Sequence, residues 1–195
     1  MAASGSEEAS RRLSLTARAL KAAADLLRAG GIVAVRGLGG FHLAADATDD
    51  AAVRRLRERK GREEKPLAIM VRDLDGAREV ALMDSHEEKL LSSPERPVVL
   101  LSERGGSGLA PSVAPGLDRV GVMVPYTPLH HLLLEKVDRP LIMTSGNLSE
   151  EPIVTGNDEA LTRLRSLADG FLLHDREIVN RCDDSVVQTV GGFPV

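Results

Sequence analysis

The order of apolar runs and turn residues predicts an α/β fold, a twisted mixed sheet flanked by helices. Short apolar runs of strand length recur at 32–35, 67–71, 98–101, 120–124 and 141–144. Between them lie segments whose apolar residues recur at helical spacing, and such interleaving lays helices over the faces of a sheet. The bulk composition agrees: 195 residues, 43% hydrophobic and 28% charged, suit one globular domain and exclude disordered and collagen-like classes.

Each element follows in turn. Residues 1–13 are small and polar and are expected to form a disordered tail, leaving 14–195 as a single domain. Ser14 or Thr16 is placed to cap a helix with Leu20, Ala24 and Leu27 on one face, stopped by Gly30 and Gly31. The strand at 32–35 leads into Arg36-Gly-Leu-Gly-Gly-Phe-His-Leu43, read as a glycine-rich loop. Asp46-Ala-Thr-Asp49 supplies cap residues for a helix that ends near Lys60, with Gly61 as its stop. Residues 67–71 form a buried strand bounded by Pro66 and Asp73. Short helices are expected at 75–82 and 85–91, strands at 98–101 and 120–124, and a helix at 129–137. The strand at 141–144 feeds into Ser145-Gly-Asn147, a helix follows at 158–168 on Leu161, Leu164 and Leu167, and 171–173 and 186–190 complete the strands. The chain stops at Phe193-Pro-Val195 directly after a strand, so it is expected to be a fragment of a larger multidomain protein.

No apolar run approaches the ~20 residues needed to cross a bilayer, and Glu7 and Glu8 stand where a leader would need an apolar stretch. A cytoplasmic location without membrane partners is expected. Cys182 is the single cysteine, which excludes an internal disulfide and any zinc site built on paired cysteines; no neighbouring base marks it as a nucleophile, and it is expected to be buried. With 2% aromatics and no Trp, a stacking platform for single-stranded nucleic acid is disfavoured. Net charge is -4, yet residues 54–65 hold seven cations against three carboxylates. Such an island suits a small polyanion such as a nucleotide; it equally describes a solvated helix face.

Four clusters carry candidate chemistry. The loop at 37–40 fits neither the phosphate loop nor the dinucleotide fingerprint, although glycines such as Gly39, beside Phe41, let a ligand approach the backbone, or simply make a turn. Lys60, Arg62 and Lys65 surround a helix end: Arg offers a bidentate fork for phosphate and Lys a point charge, while the same cations also complement the negative end of the helix. Thr144, Ser145 and Asn147 emerge at the carboxyl end of a strand, where open α/β sheets bind ligands, and could instead stabilise a turn. Serine hydrolysis is rejected, since Ser-Gly-Asn is not a nucleophile elbow and no partnered His and Asp appear. Arg181, Asp184 and Ser185 lie in Arg-Cys-Asp-Asp-Ser, a solvated turn or, through Asp184, a carboxylate for Mg2+ held by phosphates. His130 and His131 are neighbours and do not form a metal pair; His42, His86 and His174 read as structural one by one.

Together, Lys60-x-Arg62 with Lys65-Pro66 and Ser145-x-Asn147-Leu-Ser-x-Glu-Pro152 resemble the YrdC-like fold of threonylcarbamoyl-adenylate synthases, over about residues 20–190. Arg36-Gly-Leu-Gly-Gly-Phe-His-Leu43, Lys65-Pro-Leu-Ala-Ile-Met-Val71 and Asn180-Arg-Cys-Asp-Asp-Ser-Val-Val187 are similar to the YrdC-like domain of the HypF-type carbamoyltransferases of NiFe-hydrogenase maturation. That resemblance implies a basic concave cleft and an ATP- and Mg2+-dependent reaction. Carbamate derived from carbamoyl phosphate joins ATP as carbamoyl-adenylate, and the carbamoyl group passes to the C-terminal cysteine of a partner protein, to become the cyanide ligands of the hydrogenase iron. It implies Lys60, Arg62, Ser145 and Asn147 as the catalytic tetrad, with Lys65, Gly39, Phe41, Thr144, Arg181 and Ser185 contacting nucleotide or substrate. Synthases that use threonine resemble Pro-Thr-Asp-Thr-Val-Tyr-Gly-Leu where this chain has 36–43, and loss of those polar groups favours the smaller carbamoyl unit. Two positions depart from the carbamoyl branch, Arg36 in place of Lys and Ala45 in place of Cys. The acylphosphatase, zinc and transfer domains of the full enzyme have no room here, so overall transfer is expected to need further parts. Two alternatives remain: threonylcarbamoyl-adenylate synthesis for tRNA modification, and a non-catalytic module that binds double-stranded RNA through residues 54–65.

Overall fold

The computed structural model describes residues 3–62, 65–148, 151–191 and 193–195, with side chains from residue 16 onward. The tail expected over 1–13 lies outside the described side chains. Helix α1 (Ala3–Arg28) continues on the N-terminal side of Ser14 and Thr16, so neither begins it; Glu, Ala and Arg in that stretch favour helix over the capping signal. It buries Leu20, Ala24 and Leu27, as expected, and turns at Gly30, whose φ of 81° few other residues adopt.

Strand β1 (Val33–Arg36) is the first arm of an antiparallel hairpin whose second arm is β2 (Phe41–Asp46), with Val33 opposite Ala44 and Arg36 opposite Phe41. The sequence reading placed 41–43 in the glycine loop and missed this strand, because Ala44 and Ala45 are weak strand formers and the register comes from the neighbours. Helix α2 (Asp50–Lys60) has the ends its sequence announces: Asp49 accepts from the amides of Ala51 and Ala52, and Gly61 closes it at φ 60°.

Then come β3 (Ile69–Met70), α3 (Leu74–Val80) and β4 (Ala81–Leu82), two residues expected at the end of a helix that instead pair with the next strand. Helix α4 (Ser85–Ser92) opens on a capping box of Asp84 and Glu87. Strands β5 (Val98–Glu103) and β6 (Arg119–Met123), helix α5 (Pro128–Val137) capped by Thr127, and β7 (Leu141–Ser145) follow. Helix α6 (Asn157–Arg163) is shorter than expected: past Arg163 the chain tightens into turns that keep Leu164 and Leu167 buried. After β8 (Gly170–Leu172), the strand expected at 186–190 divides into β9 (Val186–Val187), on the main sheet, and β10 (Thr189–Val190), which pairs with β11 (Phe193–Pro194).

The main sheet runs β4-β5-β6-β3-β7-β2-β1-β8, with β9 also on β5, and mixes parallel and antiparallel pairs as expected. Alternation along each strand builds two apolar layers. Ala34, Leu43 and Ile142 face one way, into a core shared with Val53 and Leu56 of α2, Ala77 of α3, Leu91 of α4 and Ala160 of α6. Val33, Ala44 and Met143 face the other, against Leu20 and Leu27 of α1 and Leu133 and Val137 of α5. No helix of the described residues is long and apolar enough to cross a membrane.

Candidate functional site

The second face of the sheet is only partly covered. Across β5, β6, β3 and β7 a cavity of ≈ 330 Å³ has Ala68, Val98, Leu100, Gly121, Met123 and Met143 as its floor. Its rim is polar: Arg62, Thr144, Ser145, Asp183 and Asp184. A second cavity of ≈ 500 Å³ shares Asp183 and Asp184 and extends to Gly39, Tyr126, Arg176 and Ser185.

At the rim, residues 85 apart in sequence meet. Lys60, the last residue of α2, is 5% exposed. Its Nζ donates to Ser145 O (2.5 Å), Asn147 O (3.1 Å) and Asn147 Oδ1 (3.0 Å). The turn after β7 is built to receive it: Gly146 N donates to Phe41 O (2.6 Å), Val154 N to Gly146 O (2.9 Å), and a Cβ on Gly146 would meet Phe41 Cβ at 2.7 Å. Ser145 Oγ donates to Asn147 Oδ1 (2.8 Å), and Asn147 Nδ2 to Glu151 O (2.6 Å). Arg62 donates to Thr144 Oγ1 (3.3 Å) and Pro66 O (3.1 Å), while its buried Nε has no partner among the described residues. Burial, and then the Arg62 charge, push the Lys60 ammonium down to about 8, with Asp183 opposing them; burial likewise lowers Arg62 against Asp183. Two partly dehydrated cations thus stand close together beside an apolar floor, a concentration of positive charge that suits a polyanion.

The other cations of the 54–65 island serve the scaffold. Arg57, which the sequence reading did not single out, fans its guanidinium over the carbonyls of Ser112, Val113, Arg62 and Lys65 and thereby shapes the turn that carries Arg62. Arg55 donates to Gly30 O, Arg59 to Asp169 Oδ1 (2.8 Å), and Arg54 pairs with Asp50 (3.2 Å). The Lys65 side chain is exposed and borders neither cavity, nor does that of Arg181.

The Phe41 ring is fully buried in the core and is not a ligand contact; its backbone carbonyl, which accepts from Gly146 N, supports the Ser145–Asn147 turn. Gly39 borders the larger cavity, but a Cβ there would lie 2.3 Å from Cys182 O, so its lack of a side chain seats the segment above it. Ser185 borders the same cavity and accepts from Val98 N (2.8 Å). Cys182 is exposed, contrary to expectation, because the segment around it runs over the surface of the site. Arg36 is buried against Asn157 Oδ1 (2.7 Å) and His174 O (2.9 Å), a structural post, and Ala45 is wholly inside the core.

A third group surrounds Asp184, expected from the sequence only as a carboxylate for Mg2+, with partners that the sequence did not join to it. Asp184 Oδ2 pairs with His42 Nε2 at 2.9 Å, and Asp184 Oδ1 accepts from the hydroxyl of Tyr126, the only tyrosine, at 3.1 Å. His130 of α5 stacks edge-on with Tyr126, ring centres 4.7 Å apart. Burial raises the Asp184 carboxyl, but the hydrogen bonds from His42 and Tyr126 outweigh it and hold it below the usual carboxylate range. Burial, then Asp184, drive the Tyr126 phenol up, and burial, then His42, push His130 down to about 3. His42, expected to be structural on its own, and His130, considered only beside His131, thus stand in one cluster. The one local signal was the lone Tyr in an aromatic-poor chain.

No three of the described His, Cys, Asp and Glu residues are grouped to hold a metal ion by themselves. A divalent cation shared with phosphates needs only one or two carboxylates. Both Asp184 oxygens are engaged, and the exposed Asp183, which acts electrostatically on Lys60 and Arg62, fits that part better than Asp184.

Residues 25–195 match the family model Sua5_yciO_yrdC, described as telomere recombination. The chain is 52% identical over 177 residues to the carbamoyltransferase HypF of Synechocystis sp., a match covering 91% of this chain and 23% of that protein. A crystal structure of full-length HypF in a phosphate- and nucleotide-bound form superposes with a TM-score of 0.87 at 50% identity, over 90% of this chain and 28% of that one. The threonylcarbamoyl-AMP synthase of Pyrococcus abyssi is 31% identical over 138 residues, 70% of this chain and 41% of that protein. The chain therefore spans about a quarter of the carbamoyltransferases it is similar to.

Proposed function

The chain belongs to the Sua5/YciO/YrdC family, and from that premise we propose that it forms carbamoyl-adenylate from ATP and carbamate, as the adenylate-forming part of a carbamoyltransferase. The observation that carries this reading is Arg62 at the rim of an apolar sheet floor, with the buried Lys60 behind it bonded to the Ser145–Asn147 turn that forms part of the same rim. The floor suits a nucleoside and the rim its phosphates. A carbamate oxygen attacks the α-phosphorus, the bond to the bridging oxygen breaks, and pyrophosphate leaves with its electron pair.

Lys60 and Arg62 stabilise the charge gathering on phosphoryl oxygens, and the donors are already held in place by Ser145, Asn147, Thr144 and Pro66. Thr144 and Ser145 hydroxyls orient the small reactant. Mg2+ neutralises phosphate charge when bound, with Asp183 as the protein carboxylate nearest that role. Carbamoyl phosphate as the source of carbamate, and a hydrogenase-maturation protein with a C-terminal cysteine as acceptor, belong to the same proposal through the motif resemblance at 36–43, 65–71 and 180–187.

Threonylcarbamoyl-adenylate synthesis has less support, because Gly37, Leu38, Gly39 and Gly40 offer no side-chain hydroxyl or carboxylate for an amino acid. The RNA-binding alternative loses most of its basic face, since Arg54, Arg55, Arg57 and Arg59 all have partners within the chain. The test is pyrophosphate release from Mg-ATP. Release that needs carbamoyl phosphate, or bicarbonate with ammonium, is expected; release that needs threonine with bicarbonate contradicts the assignment, as does none with any of them.

A further inference from the structure

Between β8 and β9 the chain crosses the site as an irregular segment that ends at the β5 edge. Such a segment has little hydrogen bonding of its own, so its position depends on anchors. At its start Arg36 and Asn157 hold His174 O; over 180–185 two anchors are backbone bonds, Cys182 N to Gly39 O (3.1 Å) and Val98 N to Ser185 O (2.8 Å). The third is the Asp184 carboxylate, gripped by His42 on β2 and by Tyr126 ahead of α5. His42 is 2% exposed and its Nδ1 has no partner among the described residues. A corner that only had to be filled would be closed at less cost by apolar side chains. Polar groups with one geometry specify a position as well as fill a space.

What that position serves is the next residue. Asp183 borders both cavities, its side chain is exposed, and its charge bears on Lys60 and Arg62. We propose that His42 and Tyr126 are positioning residues: by gripping Asp184 they hold residues 180–185 so that the Asp183 carboxylate stands between the two cavities, facing Lys60 and Arg62, where it shares the divalent cation of a bound nucleotide. This rests on the nucleotide reading above.

The test combines hydrogen exchange without nucleotide and calorimetric titration of Mg-ATP, on the 195-residue chain and its Tyr126→Phe, Asp183→Asn and double variants. Tyr126→Phe removes one hydroxyl and is expected to keep the melting temperature. Exchange at the Cys182 and Val98 amides should accelerate about tenfold or more, and the Kd for Mg-ATP should weaken about tenfold. Asp183→Asn should weaken binding by a similar factor, and the double variant should bind no worse than Asp183→Asn alone, because a positioning residue has nothing left to position. His42→Gln repeats the measurement from the other side of the carboxylate. Unchanged exchange in both anchor variants overturns the proposal, as do losses that multiply in the double variant. Accelerated exchange in a chain whose wild type does not bind Mg-ATP retains the anchor but overturns the role of Asp183 and the nucleotide reading with it.

Discussion

One face of the sheet is built in two ways. Over β8, β1 and β2 it is sealed by α1 and α5, with Leu27, Val33, Ala44 and Leu133 in contact and water excluded. Over β7, β3, β6 and β5 the same face carries a cavity floored by Ala68, Gly121 and Met143 and rimmed by charge. The sealed half stabilises the fold through apolar burial, while the open half gives up that burial and holds two poorly solvated cations. Stability and ligand binding should therefore respond to different substitutions.

The sharpest way to break that separation is Leu27→Ala, in the sealed half. Leu27 is fully buried, so the loss should be about 2–5 kcal/mol of stability, read by denaturant unfolding. Mg-ATP affinity of the folded fraction should be unchanged. In the open half the order reverses: Lys60→Met should weaken Mg-ATP about a hundredfold, read by calorimetry. Its melting temperature should stay near that of wild type, since hydrogen bonds are lost together with a buried charge.

pH sharpens the contrast further. Because the Lys60 ammonium is pushed down to about 8, Mg-ATP affinity should fall as pH rises through 8, well below the range of a surface lysine. Stability should move the opposite way. Between about 8 and the ordinary lysine value the unfolded chain binds a proton the folded one has lost, so this group's contribution rises with pH. Unfolding and titration curves of wild type minus Lys60→Met isolate both trends.

The smallest effect belongs to Arg54, an exposed partner of Asp50. Arg54→Ala should change stability by no more than about 1 kcal/mol and leave the nucleotide Kd alone. A marked loss of double-stranded RNA binding on that substitution would instead restore the basic face as a functional surface.

Legibility from sequence divided along similar lines. Local signals located α2 from Asp49 to Gly61 and the end of β7 at the Ser145 turn, because caps and strand ends are written in neighbouring residues. Strands β2 and β4 were hidden, since alanines and a glycine loop carry no strand signal and only pairing partners define them. At the site, Lys60 and Arg62 stood out by charge, and family resemblance joined them to Ser145 and Asn147, which now meet in the structure. His42, Tyr126 and Asp184 come from three distant segments without local pattern, and Cys182 looked apolar where the chain is in fact draped over a cavity.

The central claim is that the open half of the sheet face is a nucleotide site. It is tested most directly by calorimetric titration of Mg-ATP into the wild-type chain and into Lys60→Met/Arg62→Ala. Binding by the wild type that disappears in the folded double variant is the predicted result. Equal binding by both chains, or none by a folded wild type, would contradict it.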